Sequence, residues 1–214
     1  MLELPLDPTA VKGFLDPDEG AALFEAAQAA PLALALEVGG YCGKSAVYLG
    51  AAMKARGGVL ISVDHHRGSE ENQPGWEHHD AELWDDAAGA MDTLPHFRRA
   101  MRLAGLERWV TPVVGHSADV AAWWRTPLGL LFIDGGHAPE HAMNDYLGWT
   151  PHLAPGGVLA IHDVFPDPAD GGRPPHDIYR LALASGQFEE TGFVKSLALL
   201  KRRGADRSVH APGS

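Results

Sequence analysis

The sequence predicts a doubly wound α/β domain: a mostly parallel sheet with helices on both faces, closed at its C-terminal side by an antiparallel strand. Three observations carry this. Apolar runs of strand length alternate five times with stretches at helical spacing, the signature of repeated βαβ units. The runs read as continuously hydrophobic rather than alternating, as strands covered on both faces do. The chain has 214 residues, 45% hydrophobic and 21% charged, which suits one ordinary globular domain.

The elements follow in order. Residues 8–30 place Val11, Phe14, Leu15, Ala22, Leu23 and Ala26 at helical spacing. They predict two short helices, the second opened by Asp16 as N-cap with Pro17 at the first helical position. Residues 32–38 form the first buried strand, broken by Gly39-Gly40-Tyr41-Cys42-Gly43. A helix over 45–55 ends at Gly57-Gly58. The second strand, 59–63, runs into Asp64. Residues 65–93 are polar, rich in Gly, His, Trp and acids, and lack apolar periodicity, as functional or disordered insertions do. A helix over 96–105, a strand over 110–114, a short helix over 118–124 and a strand over 128–133 follow. The last of these strands ends at Asp134. A helix over 139–152 and a Pro-Gly-Gly turn lead to a strand over 158–161 that ends at His162-Asp163. After a Pro/Gly/Asp loop over 165–175 come a helix over 177–185 and a closing strand pair, 188–192 and 195–200. The domain is expected to span 1–203, with 65–93 as an inserted lid and 204–214 as a flexible tail.

Composition excludes several classes. One cysteine, Cys42, allows no intrachain disulfide and no Cys-rich zinc site. Seventeen Lys+Arg against 28 Asp+Glu give a net charge of −11, which repels nucleic acid, and no basic patch reverses it locally. Apolar stretches are too short to span a bilayer, and the first residues lack the basic start and apolar core of a signal peptide. A cytoplasmic location is the expectation. Twelve histidines, many near the strand ends, point toward metal or proton-transfer chemistry.

In an open parallel sheet, ligands bind beyond the carboxyl ends of the strands. Those ends carry Glu37 with Gly39, Asp64, Gly115-His116-Ser117, Asp134 and His162-Asp163. The loop Glu37-Val-Gly-Gly-Tyr-Cys-Gly-Lys-Ser fails the P-loop spacing by one residue. It also fails the dinucleotide fingerprint, because Tyr41 stands where a glycine is required. It fits E-x-G-x-x-x-G at Glu37, Gly39 and Gly43, although an ordinary glycine-rich turn has the same look. Asp64 ends the next strand, where a carboxylate can accept both hydroxyls of a ribose or simply cap a helix.

With Ile61-Ser-Val-Asp64, Phe132-Ile-Asp-Gly-Gly-His137 and Pro155-Gly-Gly-Val-Leu-Ala-Ile-His-Asp163, the chain resembles class I S-adenosylmethionine-dependent methyltransferases with a Rossmann-like domain. Within them it is similar to the small bacterial metal-dependent O-methyltransferases related to macrolide and aminocoumarin sugar methylation. The resemblance covers residues 32 to 165. It implies a cofactor site of Glu37, Gly39, Gly43, Ser45, Asp64, His65, Ser117 and Asp134, in which Glu37 supports the loop and His65 lies beside the adenine. A plain N-cap is the alternative for Ser117. It also implies a divalent metal held by Asp134, His162 and Asp163, a partly buried residue hydrogen-bonded to an adjacent strand end being the alternative for His162. Relatives use two adjacent acids where this chain has His162-Asp163. Mg²⁺ is the family's ion, whereas imidazole suits Mn²⁺, Zn²⁺, Fe²⁺ or Ni²⁺ better.

A metal would make a sugar hydroxyl a better nucleophile, and a base must take its proton. His137 is the first candidate and His141 the second, a solvated histidine at a helix start being the bland reading of either. In the lid, Arg67, Glu70 and Glu71 can hydrogen-bond sugar hydroxyls, and Trp76 can stack on a sugar ring. The runs that begin at Asp64 and at Phe165 resemble actinobacterial enzymes, some of which methylate mannose-containing oligosaccharides. The expected activity is therefore methyl transfer from S-adenosylmethionine to a hydroxyl of a sugar or oligosaccharide, by a homodimer that binds neither nucleic acid nor membrane. A catechol-type acceptor is the alternative within enzymes. A non-catalytic cofactor-binding partner is the alternative outside them.

Overall fold

The computed structural model describes residues 2–69, 75, 80–136, 138–165, 167 and 173–204. After a 3-10 turn at Pro8–Ala10, helix α1 (Pro17–Ala29) starts with a capping box. The Asp16 side chain accepts from the backbone of the first turn, and Glu19 reaches back to the Asp16 amide. Of the two helices expected here, the first is only this 3-10 turn. Strand β1 (Leu34–Val38), helix α2 (Lys44–Ala55) and strand β2 (Val59–Asp64) form the first βαβ unit. A small hairpin, β3 (Trp84–Asp85) and β4 (Ala90–Met91), precedes helix α3 (Leu94–Leu103). Strand β5 (Val110–Val114), helix α4 (Ser117–Trp123), strand β6 (Leu128–Ile133), helix α5 (Pro139–Trp149) and strand β7 (Leu153–Ile161) continue the alternation. Helix α6 (Arg173–Ala184) and strands β8 (Phe188–Val194) and β9 (Leu197–Arg202) close the chain.

The main sheet has the order β5-β2-β1-β6-β7-β9-β8. Its first five strands are parallel, and β9 pairs antiparallel with both β7 and β8. The chain therefore closes on an antiparallel pair, as expected from residues 188–192 and 195–200. β6 is buried along its whole length, which is why its sequence Leu128-Gly-Leu-Leu-Phe-Ile shows no alternation. One core layer, with Leu23, Leu49, Met53, Phe97 and Phe132, lies under α1, α2 and α3. The other, with Leu131, Ile133, Tyr146, Trp149 and Ile178, lies under α4, α5 and α6.

Three sequence expectations shift. The strand expected at 158–161 extends back to Leu153, because the Pro155-Gly156-Gly157 run is carried within the strand rather than ahead of it. The helix expected at 177 starts at Arg173, with prolines at 174 and 175 in its first turn, where a missing amide costs nothing. The region 65–93 is not irregular throughout. Leu83, Met91 and Thr93 are buried, and the hairpin packs its tail onto the core. Lys12 ties it to the N-terminal segment by ion pairs to Asp80 and, at 2.7 Å, to Glu82. No helix among the described residues is long and apolar enough to cross a membrane.

Candidate functional site

The five parallel strands end on one rim, and backbone hydrogen bonds carry the ladder just past them. Gly39 donates to Val63 (3.0 Å), Gly115 to Asp64 (3.1 Å), Asp134 to Val38 (2.9 Å) and His162 to Ile133 (3.1 Å). The five strand ends and the groups they carry are thus set side by side by the sheet itself. Tyr41, His66 and Asp163 adopt positive φ, at 44°, 58° and 56°. Non-glycine residues held there mark functional or over-determined backbone.

The glycine loop is shaped by close approach. Gly39 has φ +92°, and any Cβ on it would collide with the carbonyl oxygen of Asp134. Gly43 has φ +94° and opens α2 as a left-handed N-cap. A Cβ on Gly43 would press on Phe97 and Met101. Both glycines are thus required by the fold at the rim. Asp64 locks the loop in place. One carboxylate oxygen accepts the Tyr41 amide and the other accepts the His66 amide, each at 2.7 Å.

Glu37 is fully buried and accepts a 2.8 Å hydrogen bond from the Ser45 hydroxyl. Burial pushes its carboxyl up to about 7, with the Ser62 and Ser45 hydroxyls pulling the other way. Ser45 therefore turns inward to Glu37, and the pair supports the loop from beneath. His65 lies against His116 with ring centroids 5.1 Å apart, and burial depresses its pKa, so the ring is neutral at pH 7. Ser117 is the first residue of α4, with His116 as its N-cap. Its hydroxyl accepts from the Trp149 indole at 2.7 Å. Neighbouring Asp145 is buried, and burial pushes its carboxyl up to about 6 against the Ser117 hydrogen bond.

At the far side of the rim, His162 is 4% exposed. Its Nδ1 stands 2.9 Å from Asp134 Oδ1 and 3.4 Å from Asp163 Oδ2, while its Nε2 donates to Glu19 Oε2 at 3.0 Å. Burial alone would depress the imidazole pKa. Asp134 outweighs it, aided by Asp163 and Glu19, and holds the ring well above its ordinary range. Glu19 is itself buried, which would raise its pKa, but His162 and Ser196 pull it down to about 2. The donor set suits a divalent ion: ligating atoms of Asp134, His162 and Asp163 all lie within 4.8 Å of one another. The second nitrogen of the histidine is turned to a carboxylate, as in metal-bound histidines.

His141 is exposed on the first turn of α5 and lies against the backbone of Gly136. Arg67 is exposed, donating to the Met91 carbonyl at 3.1 Å with Asp92 3.9 Å away. His137, Glu70, Glu71 and Trp76 lie outside the described residues, as do residues 205–214 of the expected tail and most of the 165–175 loop. Two contributors escaped the sequence analysis. Glu19 was legible only as the acid of a capping box, and Ser196 carries no local signal at all.

A protein-family model described as a methyltransferase domain matches residues 36–164, from the end of β1 to just past Asp163. Solved structures share the fold. The O-methyltransferase TomG from Streptomyces achromogenes, in complex with S-adenosylmethionine, has a TM-score of 0.62 at 16% identity, over 89% of this chain and 82% of that one. Cofactor-bound Rv0187 from MTB gives 0.66 at 18% identity, over 92% and 87%. The Bacillus cereus O-methyltransferase in complex with S-adenosylhomocysteine gives 0.64 at 16%, over 91% and 86%. The matched stretch exceeds half of the chain and contains the glycine loop, Asp64, Asp134 and Asp163, so the chain belongs to the methyltransferase-domain family.

Proposed function

We propose that this methyltransferase moves the methyl group of S-adenosylmethionine to a hydroxyl of a sugar or oligosaccharide, with a divalent ion at Asp134, His162 and Asp163. One observation carries the reading: Asp64 clasps the glycine loop through the Tyr41 and His66 amides at 2.7 Å each, next to the Asp134 end of β6. The fold neighbours that carry S-adenosylmethionine or S-adenosylhomocysteine support the cofactor assignment.

In this reading Gly39 and Gly43 shape the ledge for the methionine portion, and the buried Glu37–Ser45 pair keeps it in place. Each Asp64 oxygen keeps a lone pair beyond its backbone bond, enough to accept the two ribose hydroxyls. Neutral His65, beside His116, offers a flat face for the adenine. Ser117 shapes that wall through its bond to Trp149. Asp134, His162 and Asp163 would hold the divalent ion, whose charge would lower the cost of ionising an acceptor hydroxyl. His137 or His141 takes the hydroxyl proton. The hydroxyl oxygen forms a bond to the methyl carbon as the carbon–sulfur bond breaks, its electron pair returning to the sulfonium sulfur. The lid residues Arg67, Glu70, Glu71 and Trp76 would receive the acceptor.

The test is transfer of an isotopically labelled methyl group to a panel of mannosides, other sugars and catechols. The expected result is label in a sugar hydroxyl, lost in Asp134→Ala/Asp163→Ala while circular dichroism stays native. Label found only in catechols would remove the sugar assignment. Failure to bind S-adenosylhomocysteine would remove the cofactor assignment.

A further inference from the structure

Glu19 is a buried acid that the methyl-transfer scheme does not use. It sits on α1, is 2% exposed, and lies 143 positions before the histidine it contacts. Four donors fix its carboxylate: His162 Nε2 at 3.0 Å and the Asp16 amide at 3.1 Å on one oxygen, and the Ser196 amide (2.9 Å) and hydroxyl (2.8 Å) on the other. The backbone on both sides is also tied down. Glu19 belongs to the capping box of α1, and Val164, next to Asp163, donates to the Ser196 carbonyl at 2.8 Å. The imidazole of His162 is thereby gripped from behind by a rigid acceptor, and its other nitrogen, Nδ1, points between Asp134 and Asp163.

Carboxylates face both ring nitrogens, Asp134 at Nδ1 and Glu19 at Nε2, so without an ion each nitrogen carries a proton. An ion entering between Asp134 and Asp163 would displace the Nδ1 proton, while the Glu19 carboxylate holds the remaining N–H at Nε2 and so fixes the Nδ1 lone pair toward the ion. That carboxylate also makes the lone pair a stronger donor. We infer that Glu19 is a positioning residue that turns His162 Nδ1 into a metal ligand, so that the site selects a nitrogen-accepting divalent transition metal over Mg²⁺. The inference rests on the reading that Asp134 and Asp163 hold a divalent ion. Two features of the chain favour the selection. One of the three donors is an imidazole, which Mn²⁺ and its heavier neighbours accept and Mg²⁺ disfavours. The imidazole is also held in a buried, pre-set orientation, so no rotamer freedom is lost on binding.

The experiment uses the purified full chain, stripped with chelator and saturated with S-adenosylhomocysteine. Mn²⁺ is titrated while the electron paramagnetic resonance signal of the free ion is followed, with Mg²⁺ as competitor. Pulsed measurements then look for hyperfine coupling from a directly bound nitrogen. The expected result is one Mn²⁺ per chain, nitrogen coupling in the wild type, and at least a 30-fold excess of Mg²⁺ needed for half displacement. Glu19→Ala should weaken Mn²⁺ binding about 10- to 100-fold. Glu19→Gln, whose carbonyl can still accept from Nε2, should recover part of the loss. Glu19→Gln/His162→Asp, which makes the donor set all-oxygen, should lose the nitrogen coupling and move the preference toward Mg²⁺. Mn²⁺ bound without nitrogen coupling, or displaced by equimolar Mg²⁺, overturns the role of Glu19 and leaves the metal reading standing. No bound Mn²⁺ or Mg²⁺ overturns both. The wild-type spectrum decides the matter even where a Glu19 variant fails to fold.

Discussion

Replacing Asp64 with Ala separates two duties of one carboxylate. Each of its oxygens holds one backbone amide at 2.7 Å, from Tyr41 in the glycine loop and from His66 past the end of β2. A hydrogen bond to a charged acceptor is worth about 1.5–3 kcal/mol, and the half-exposed rim lets water compensate part of the loss. Removing both should cost about 2–4 kcal/mol of stability, a fall in Tm of roughly 5–15 °C for a chain of this size. The proposed ribose contacts come on top. Two hydroxyls left without their acceptor should weaken S-adenosylhomocysteine binding by about 2 kcal/mol or more, a factor of roughly 30. Asp64→Asn keeps the shape and one good acceptor, and should fall between. Differential scanning calorimetry reads the first effect and isothermal titration the second. A lower Tm with affinity within threefold of wild type would make Asp64 a strut for the loop and refute its contact with the ribose. Unchanged values of both would refute the whole account of the rim.

Other expectations are as direct. Gly39→Ala forces a Cβ into the Asp134 carbonyl at φ +92°, so it should destabilise by about 3 kcal/mol or more and reduce soluble yield. The Glu37 carboxyl is raised from its ordinary 4.5 to about 7, so its contribution to stability is fully present below pH 4.5, is lost as pH rises to 7, and stays lost above. Glu37→Gln should therefore flatten that part of the urea-melt pH profile and gain on the order of 3 kcal/mol over wild type at pH 8, whereas parallel profiles would contradict a buried, raised carboxyl. His137→Ala should slow turnover about 100-fold or more if that ring takes the proton. A comparable loss in His141→Ala, with His137→Ala nearly normal, would hand the role to the histidine beside Gly136.

Much of this architecture was readable because parallel strands leave a coarse trace. The five apolar runs and their Asp- or Gly-bearing ends follow from burial on both faces and from the need to turn at each rim. Glu37, Gly39, Asp64, Asp134 and Asp163 therefore came forward from spacing and resemblance. Roles that depend on partners distant in sequence did not. Ser45 looks like a helix-start residue until the structure turns it onto Glu37. Ser117 looks like an N-cap until His116 takes that position and Trp149 claims the hydroxyl. The hairpin inside 65–93 was hidden because two-residue strands carry no period, and its order comes from burying Leu83 and Met91.

The stretch that the chain shares with its family begins at residue 36 and stops at 164, yet the two residues that steady His162 from behind, Glu19 and Ser196, lie outside it on opposite flanks. A chimera that transplanted only the common segment into a foreign scaffold would inherit the crevice but surrender its clasp. The orientation of a ring inside the common segment is thus decided by two side chains the segment does not contain.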